Sequence, residues 1–114
     1  MTLEELRAYC LGKPTVEESL PFGPDTLVFK VCGKVFLITA FDHTPLQFNV
    51  KCDPNIAIDL RERYACVQPG YHMNKKHWNT VVVDGSVSIS SLKEWIDDSY
   101  QLVHVAASPK KRKR

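Results

Sequence analysis

Polar and apolar positions change period several times along this chain, and each change marks an element. Leu3, Leu6 and Cys10 recur at helical spacing. Thr2-Leu3-Glu4-Glu5 ahead of them fits a capping box, in which the Thr2 hydroxyl and Glu5 carboxylate satisfy free amides at a helix start. Gly12 and Pro14 end that helix, and Thr15 to Leu20 follows as a short extended segment closed by Pro21-Phe22-Gly23-Pro24. Thr26 to Val31 and Lys34 to Thr39 are β-rich runs, and Cys32-Gly33 between them predicts a tight hairpin. Asp42-His43-Thr44-Pro45 is a turn feeding the alternating strand Leu46 to Lys51. Asp53-Pro54 starts a second helix, because Asp53 can cap the free amides and Pro54 lacks one it would not use. Ile56, Leu60 and Tyr64 suit its buried face, and Arg61, Glu62 and Arg63 its solvated edge. Beyond a loop through Gly70, Trp78 to Val83 reads as a strand ended by Asp84-Gly85. Ser91-Leu92-Lys93-Glu94 is a second capping box, and Leu92, Trp95, Ile96, Ser99, Leu102 and Val103 mark an amphipathic stripe.

The order is therefore helix, three or four antiparallel strands, helix, a loop with one or two strands, helix. Strands grouped before helices and joined by short turns predict an α+β two-layer sandwich, its antiparallel sheet covered by helices on one face. The other face is left partly solvated or free to bind. Residues 1–106 form one domain, a common size for a single core at 114 residues in all. Residues 107–114 are expected to be a disordered basic tail. No apolar run approaches the ~20 residues of a membrane helix, and Met1 to Leu11 lacks the plan of a signal peptide. A cytoplasmic monomer is expected.

Charge changes this picture at one point. The net charge of +2 includes five consecutive cations, Lys110, Lys111, Arg112, Lys113 and Arg114. Of 15 basic residues these five leave 10 against 13 acidic ones, so the body carries −3. Any basic footprint on the body must be local. Cys10, Cys32, Cys52 and Cys66 stand alone, with no metal-type pairing, and read as small buried hydrophobes or spare thiols.

Several segments together resemble the YjbR-like (MmcQ) family of small bacterial proteins. They are Glu17-Glu18-Ser19-Leu20-Pro21-Phe22-Gly23, the hairpin of Phe29-Lys30-Val31 and Lys34-Val35-Phe36, and Val50-Lys51-Cys52-Asp53-Pro54. The most distinctive is Pro69-Gly70-Tyr71-His72-Met73-Asn74-Lys75-Lys76-His77-Trp78-Asn79-Thr80. The resemblance implies a fold like that of type III secretion chaperones, with a helix, three strands, a helix, two strands and a helix. It also implies a DNA-binding role through a double wing of paired β-elements, and no catalytic residue.

The residues themselves offer chemistry in three places. Lys75 and Lys76 on a loop can make point-charge contacts to phosphates, with His77 and Tyr71 at the rim and Asn74 adding hydrogen bonds. Trp78 either stacks on a base or fills the core at the strand start, and Asn79 and His72 either contact a ligand or tie down the loop. Lys30, Lys34 and Lys51 extend this into a basic strip if their faces coincide; otherwise they blunt an exposed sheet. Lys110 to Arg114 can follow a phosphate chain or serve only as a solubilising appendage.

Enzyme chemistry finds little support. Glu17 and Glu18 are neighbours on a strand and point to opposite faces. His43, His72, His77 and His104 show no metal-ligand spacing. Cys66 and His72 could meet across a turn, but nothing lowers the thiol pKa or orients the imidazole. The expectation is a non-enzymatic domain without metal or cofactor that binds DNA with weak sequence preference. The alternative is a chaperone-like module whose open sheet face, or a groove beside the Pro69–Trp78 loop, holds a protein or peptide. A large apolar patch on that open face would favour the alternative.

Overall fold

The first helix begins where its capping box sits. In a computed structural model that describes residues 1–70 and 73–107, Glu5 N–H donates to Thr2 Oγ1 at 3.1 Å and Thr2 N–H to Glu5 Oε1 at 2.8 Å. This helix, α1 (Leu3–Leu11), turns Leu6 and Cys10 inward. Gly12 caps its end with ordinary right-handed geometry, φ −74°. The left-handed residue falls instead on Thr15, at φ 58°, which a β-branched side chain rarely accepts. Tyr100 O–H donates to Pro14 O at 2.8 Å and holds this turn against the last helix.

Four strands follow: β1 (Val16–Ser19), β2 (Thr26–Val31), β3 (Lys34–Ala40) and β4 (Gln47–Lys51). Then come α2 (Pro54–Arg63), β5 (Val67–Pro69), β6 (Trp78–Val82) and α3 (Ile89–Ala107). The six strands form one antiparallel sheet in the order β1-β2-β3-β4-β6-β5. The three expected helices are all present, and four strands precede α2 because the Thr15–Leu20 segment pairs as edge strand β1. Cys32 and Gly33 turn the β2–β3 hairpin with φ 53° and 77°, the doubly left-handed geometry that matches strand twist.

Strand alternation sorts the side chains. Leu27, Phe29, Leu37, Phe48, Val50, Val67 and Val81 share the face that packs with Leu92, Trp95, Ile96, Tyr100 and Val103 of α3. Glu18, on the same face, takes a bidentate bond from Arg7 of α1, at 2.9 and 2.5 Å. Asn79 Nδ2 reaches Ala57 O of α2 at 3.4 Å. All three helices thus cover one face, and the other carries no element. Between Phe29 and Lys30 the β2–β3 register shifts, and β3–β4 pairing stops at Leu37↔Val50. The ladder would continue through Phe36 O and Lys51 N–H. The buried Ser99 hydroxyl bridges them, donating to Phe36 O at 2.6 Å and accepting from Lys51 N–H at 2.8 Å.

Helix faces depart from expectation in two places. Ile56 of α2 is 52% exposed, and the buried residue is Ala57. Leu60 and Tyr64 pack against the core as read in the sequence, and Ala57 and Arg61, not Ile56, complete the sheet-facing row. A small residue at the crossing lets α2 approach close enough for the Asn79 bond. In α3, Leu102 is 40% exposed and Tyr100 takes the inward place. That helix also starts earlier than Ser91-Glu94 implied: Ser91 N–H donates to Ser88 Oγ at 3.2 Å, so Ser88 is the cap. Val87 just ahead of it packs against the core. Among the described residues no helix is long and apolar enough to cross a membrane.

Candidate nucleic-acid interface

Cross-strand register settles whether the scattered lysines share a face. Lys30 on β2 stands opposite Glu17 on β1 and Val35 on β3. Lys51 on β4 stands opposite Trp78 on β6. Both flank buried neighbours that point to the helices, Phe29 and Val31 for Lys30, Val50 and Cys52 for Lys51. Alternation therefore sends both lysines and Trp78 to the uncovered face. Only β3 separates β2 from β4, so their backbones lie about 10 Å apart on nearly the same rung.

That rung lies at one end of the sheet. The same end carries exposed Lys34, which opens β3 opposite the core residue Val31 and so falls on the helix-covered side, and the β5–β6 connection with exposed Lys75 and Lys76. One lysine-bearing loop thus borders a strip of Lys30, Lys51 and Trp78. The carboxylates lie elsewhere: Glu4, Glu5, Asp53, Asp59, Glu62, Glu94, Asp97 and Asp98 belong to the helical layer or its caps, and Asp25, Asp42 and Asp84 to turns at the opposite sheet end. Among the described residues Glu17 is the one acid on the open strand face. The ion pairs there, Arg7–Glu18, Lys13–Asp97, Arg63–Asp59 and Met1 N–Glu5, engage none of the five lysines.

The loop is held from beneath. Gly70 N–H donates to Trp78 O at 2.9 Å. A Cβ at Gly70 would lie 2.8 Å from Trp78 Cβ and 2.9 Å from Trp78 O, so only glycine permits this approach. His77 and Trp78 N–H both donate to Asn74 O, at 3.2 and 2.9 Å. Lys76 N–H donates to Asn74 Oδ1 at 2.9 Å, which commits that carboxamide oxygen to its own turn. Lys75 Nζ is 3.4 Å from Gly70 O. Half-buried Arg61 of α2 donates from Nε to Asn79 Oδ1 at 2.7 Å and from Nη2 to Trp78 O at 3.3 Å and to Lys75 O. Arg61 was expected on the solvated edge of its helix; it faces the sheet and clamps the loop instead, since a guanidinium can satisfy a buried carboxamide and loop carbonyls together.

Several expectations can be placed. Asn79 is buried and its side chain ties strand, helix and loop together, while Trp78 is half-buried opposite Lys51. His77 is half-buried at the loop's end, and its carbonyl accepts from Cys52 N–H at 2.7 Å. Tyr71 and His72, and the tail Lys110, Lys111, Arg112, Lys113 and Arg114, lie outside the described residues. Ser99 carried a signal, as a polar member of an apolar stripe that needs a partner; Arg61 carried none.

Other chemistry stays sparse. Cys10, Cys52 and Cys66 are buried and Cys32 is exposed. Burial pushes the Cys10 thiol up to about 12 and the Cys52 thiol up to about 11, leaving both poor nucleophiles. No group of three metal-binding side chains occurs among the described residues. Among the described residues the large exposed apolar side chains are Leu11, Leu20, Phe22, Phe41, Ile56, Ile58, Ile89, Leu102 and Val105. None lies within a strand, though the register puts buried Val28 and half-buried Val35 and Ile38 on the open face beside Lys30.

Comparison with known proteins agrees with this fold. The YjbR family model matches residues 11–102. The uncharacterized protein YbdF of Escherichia coli O157:H7 is 36% identical over 111 residues, covering 97% of this chain and 91% of the relative. The uncharacterized protein YjbR of Escherichia coli K12 is 34% identical over 113 residues, covering 99% and 96%. The crystal structure of Deinococcus radiodurans protein DR2400, with a DUF419 domain, superposes with a TM-score of 0.91 at 37% identity, covering 98% of this chain and 86% of that one. This chain belongs to the YjbR family.

Proposed function

We propose that this YjbR-family domain is a non-enzymatic nucleic-acid binder with weak sequence preference, using the lysine-bearing end of its open sheet face. The observation that carries the reading is the register itself, which gathers Lys30, Lys51 and Trp78 on one rung beside the loop bearing Lys75 and Lys76. Lysines contribute contacts to phosphates that carry no sequence information. Trp78 offers an aromatic surface to an unstacked base, a contact indifferent to base identity. The placement of most acids in the helical layer or in turns at the far sheet end, with Glu17 alone on the open strand face, answers the objection raised by the body's net charge. The tail, Lys110 to Arg114, would add phosphate contacts.

Fluorescence anisotropy with random duplex and single-stranded DNA at ~50 and ~200 mM salt tests this, because phosphate contacts weaken steeply over that range. The proteins are the full chain, a chain ending at Pro109, Lys75→Glu/Lys76→Glu and Lys30→Ala/Lys51→Ala. Binding should survive loss of the tail and weaken in both double variants, the log–log salt slope flattening by roughly 1–2. Binding that vanishes with the tail alone, or is untouched in both double variants, defeats the reading.

A further inference from the structure

The helical layer holds a groove that the open-face reading does not use. It runs between the start of α2 and the last turns of α3, with a cavity volume of about 570 Å³, lined by Cys52, Asp53, Ile56, Asp98, Leu102 and Val105 among others. Ile56, Leu102 and Val105 are 52%, 40% and 39% exposed. Ile56 and Leu102 are the positions where helix faces departed from the amphipathic reading. α3 carries two apolar stripes, one on the sheet and this second one, turned out beside Ile56.

The lining identifies the kind of partner. Asp53 takes the first amides of α2 and the other wall is the helix α3, whose last carbonyls are acceptors only, so the groove offers no strand edge of alternating donors and acceptors to an extended chain. A strand laid there would leave its own amides and carbonyls without partners, whereas a helix brings its backbone already satisfied and needs only apolar side chains at i, i+3 or i+4 and i+7. Charge then narrows the choice. Asp53 and Asp98 flank the apolar floor, Glu94 lies one turn before Asp98, and no cation lines the groove among the described residues. Burial, then Glu94 and Asp97, raise the Asp98 pKa, so an incoming cation relieves an existing unfavourable field.

We infer that the α2–α3 groove docks an amphipathic helix of a partner protein that lays an apolar stripe over Ile56, Leu102 and Val105 and sets lysines or arginines against Asp53 and Asp98. This surface lies on the helical layer, so it can be occupied while the open sheet face is engaged.

The probes are fluorescein-labelled helical peptides of about 17 residues with Leu at i, i+3, i+4 and i+7, flanked by four lysines, and counterparts with four glutamates. The full chain should bind the lysine set at least tenfold more tightly at ~50 mM salt. Leu102→Asp should abolish binding. Asp53→Asn/Asp98→Asn, in which Asn keeps the helix cap, should weaken only the lysine set, by five- to tenfold. Urea unfolding confirms that both variants are folded, and both positions are solvent-accessible enough to accept the change. Equal binding of the two peptide sets, no binding at 100 µM, or binding unaffected by Leu102→Asp overturns the inference. So does binding that appears only in a chain ending at Pro109, or a dimer in light scattering that Leu102→Asp dissolves, since either names a different occupant.

Discussion

Replacing Arg61 with Met tests how the candidate interface is supported. The substitution keeps most of the side chain's length and apolar stem while removing the fork of donors. Asn79, 1% exposed, loses the donor at 2.7 Å from Oδ1. A buried acceptor stripped of its partner costs about 1–3 kcal/mol. The two bonds to Lys75 O and Trp78 O are partly solvated, so water recovers much of their value and they add about 1 kcal/mol. The sum is about 2–4 kcal/mol, which at ordinary urea m-values lowers the midpoint by about 1–2 M. A double-mutant cycle with Asn79→Val separates the pair from general loosening. With both polar groups gone no acceptor is stranded, so the double variant should cost less than the two singles together by about 1–2 kcal/mol. Amide exchange at His77 and Trp78 should quicken more than at β4, because Arg61 grips the loop carbonyls rather than that strand. An Arg61→Met cost under ~0.5 kcal/mol with additive singles would refute the clamp.

Four further outcomes follow from particular contacts. Cys32→Asn should raise stability by about 0.5–1 kcal/mol in urea unfolding, because Cys32 sits at φ 53° where asparagine is better tolerated. Ser99→Ala should lower it by about 2–4 kcal/mol by stranding Phe36 O and Lys51 N–H. The Arg7 hydrogen bond, then its charge, hold the Glu18 pKa below its ordinary value. Because that pKa is depressed on folding, the stability gap between wild type and Glu18→Gln should be full near pH 7, shrink below the ordinary carboxylate value of about 4.3, and close beneath the folded value; thermal melts across pH 2–7 check it. Ellman's reagent should label Cys32 at once in the native protein and all four thiols only after unfolding, since Cys10, Cys52 and Cys66 are buried.

Much of the fold was legible because its signals are local. The Thr2–Glu5 box, the Asp53-Pro54 start and the Cys32-Gly33 turn each depend on a few adjacent residues, and each appears where it was read. Strand type followed from β-branched runs, and only β5, at three residues, was too short to place. Helix faces were less legible. Ile56 fits a 3.6-residue period as well as Ala57 does, and the choice rests on how closely α2 approaches Asn79, a long-range fact. The start of α3 slipped for a similar reason: Ser88 and Ser91 offer the same hydroxyl, and the packing of Val87 favours the first. In the site, the loop's richness in Lys, Asn and aromatic residues was visible, but Arg61 was not, since nothing in its neighbourhood distinguishes a clamp from a solvated cation.

Charge shows the same division between what a sequence sums and what a fold arranges. The body's −3 counts as an objection to anion binding only if its acids share space with its lysines. Register separates them: the open face of the strands carries Glu17 alone among the described residues, Glu18 points to the helices, and the helical layer carries most of the rest. The domain's smallest principal extent is 26 Å. Screening at physiological ionic strength acts over about 8 Å, and even at 0.1 M over about 10 Å. An anion approaching the open face therefore feels Lys30, Lys51 and the Lys75–Lys76 loop long before it feels Glu94 or Asp97 on the far side. Near 0.01 M the screening length grows to about 30 Å, comparable with the domain itself, and only there does the summed charge describe what the anion meets. A net charge thus becomes a statement about binding when the salt concentration and the sheet register are given with it.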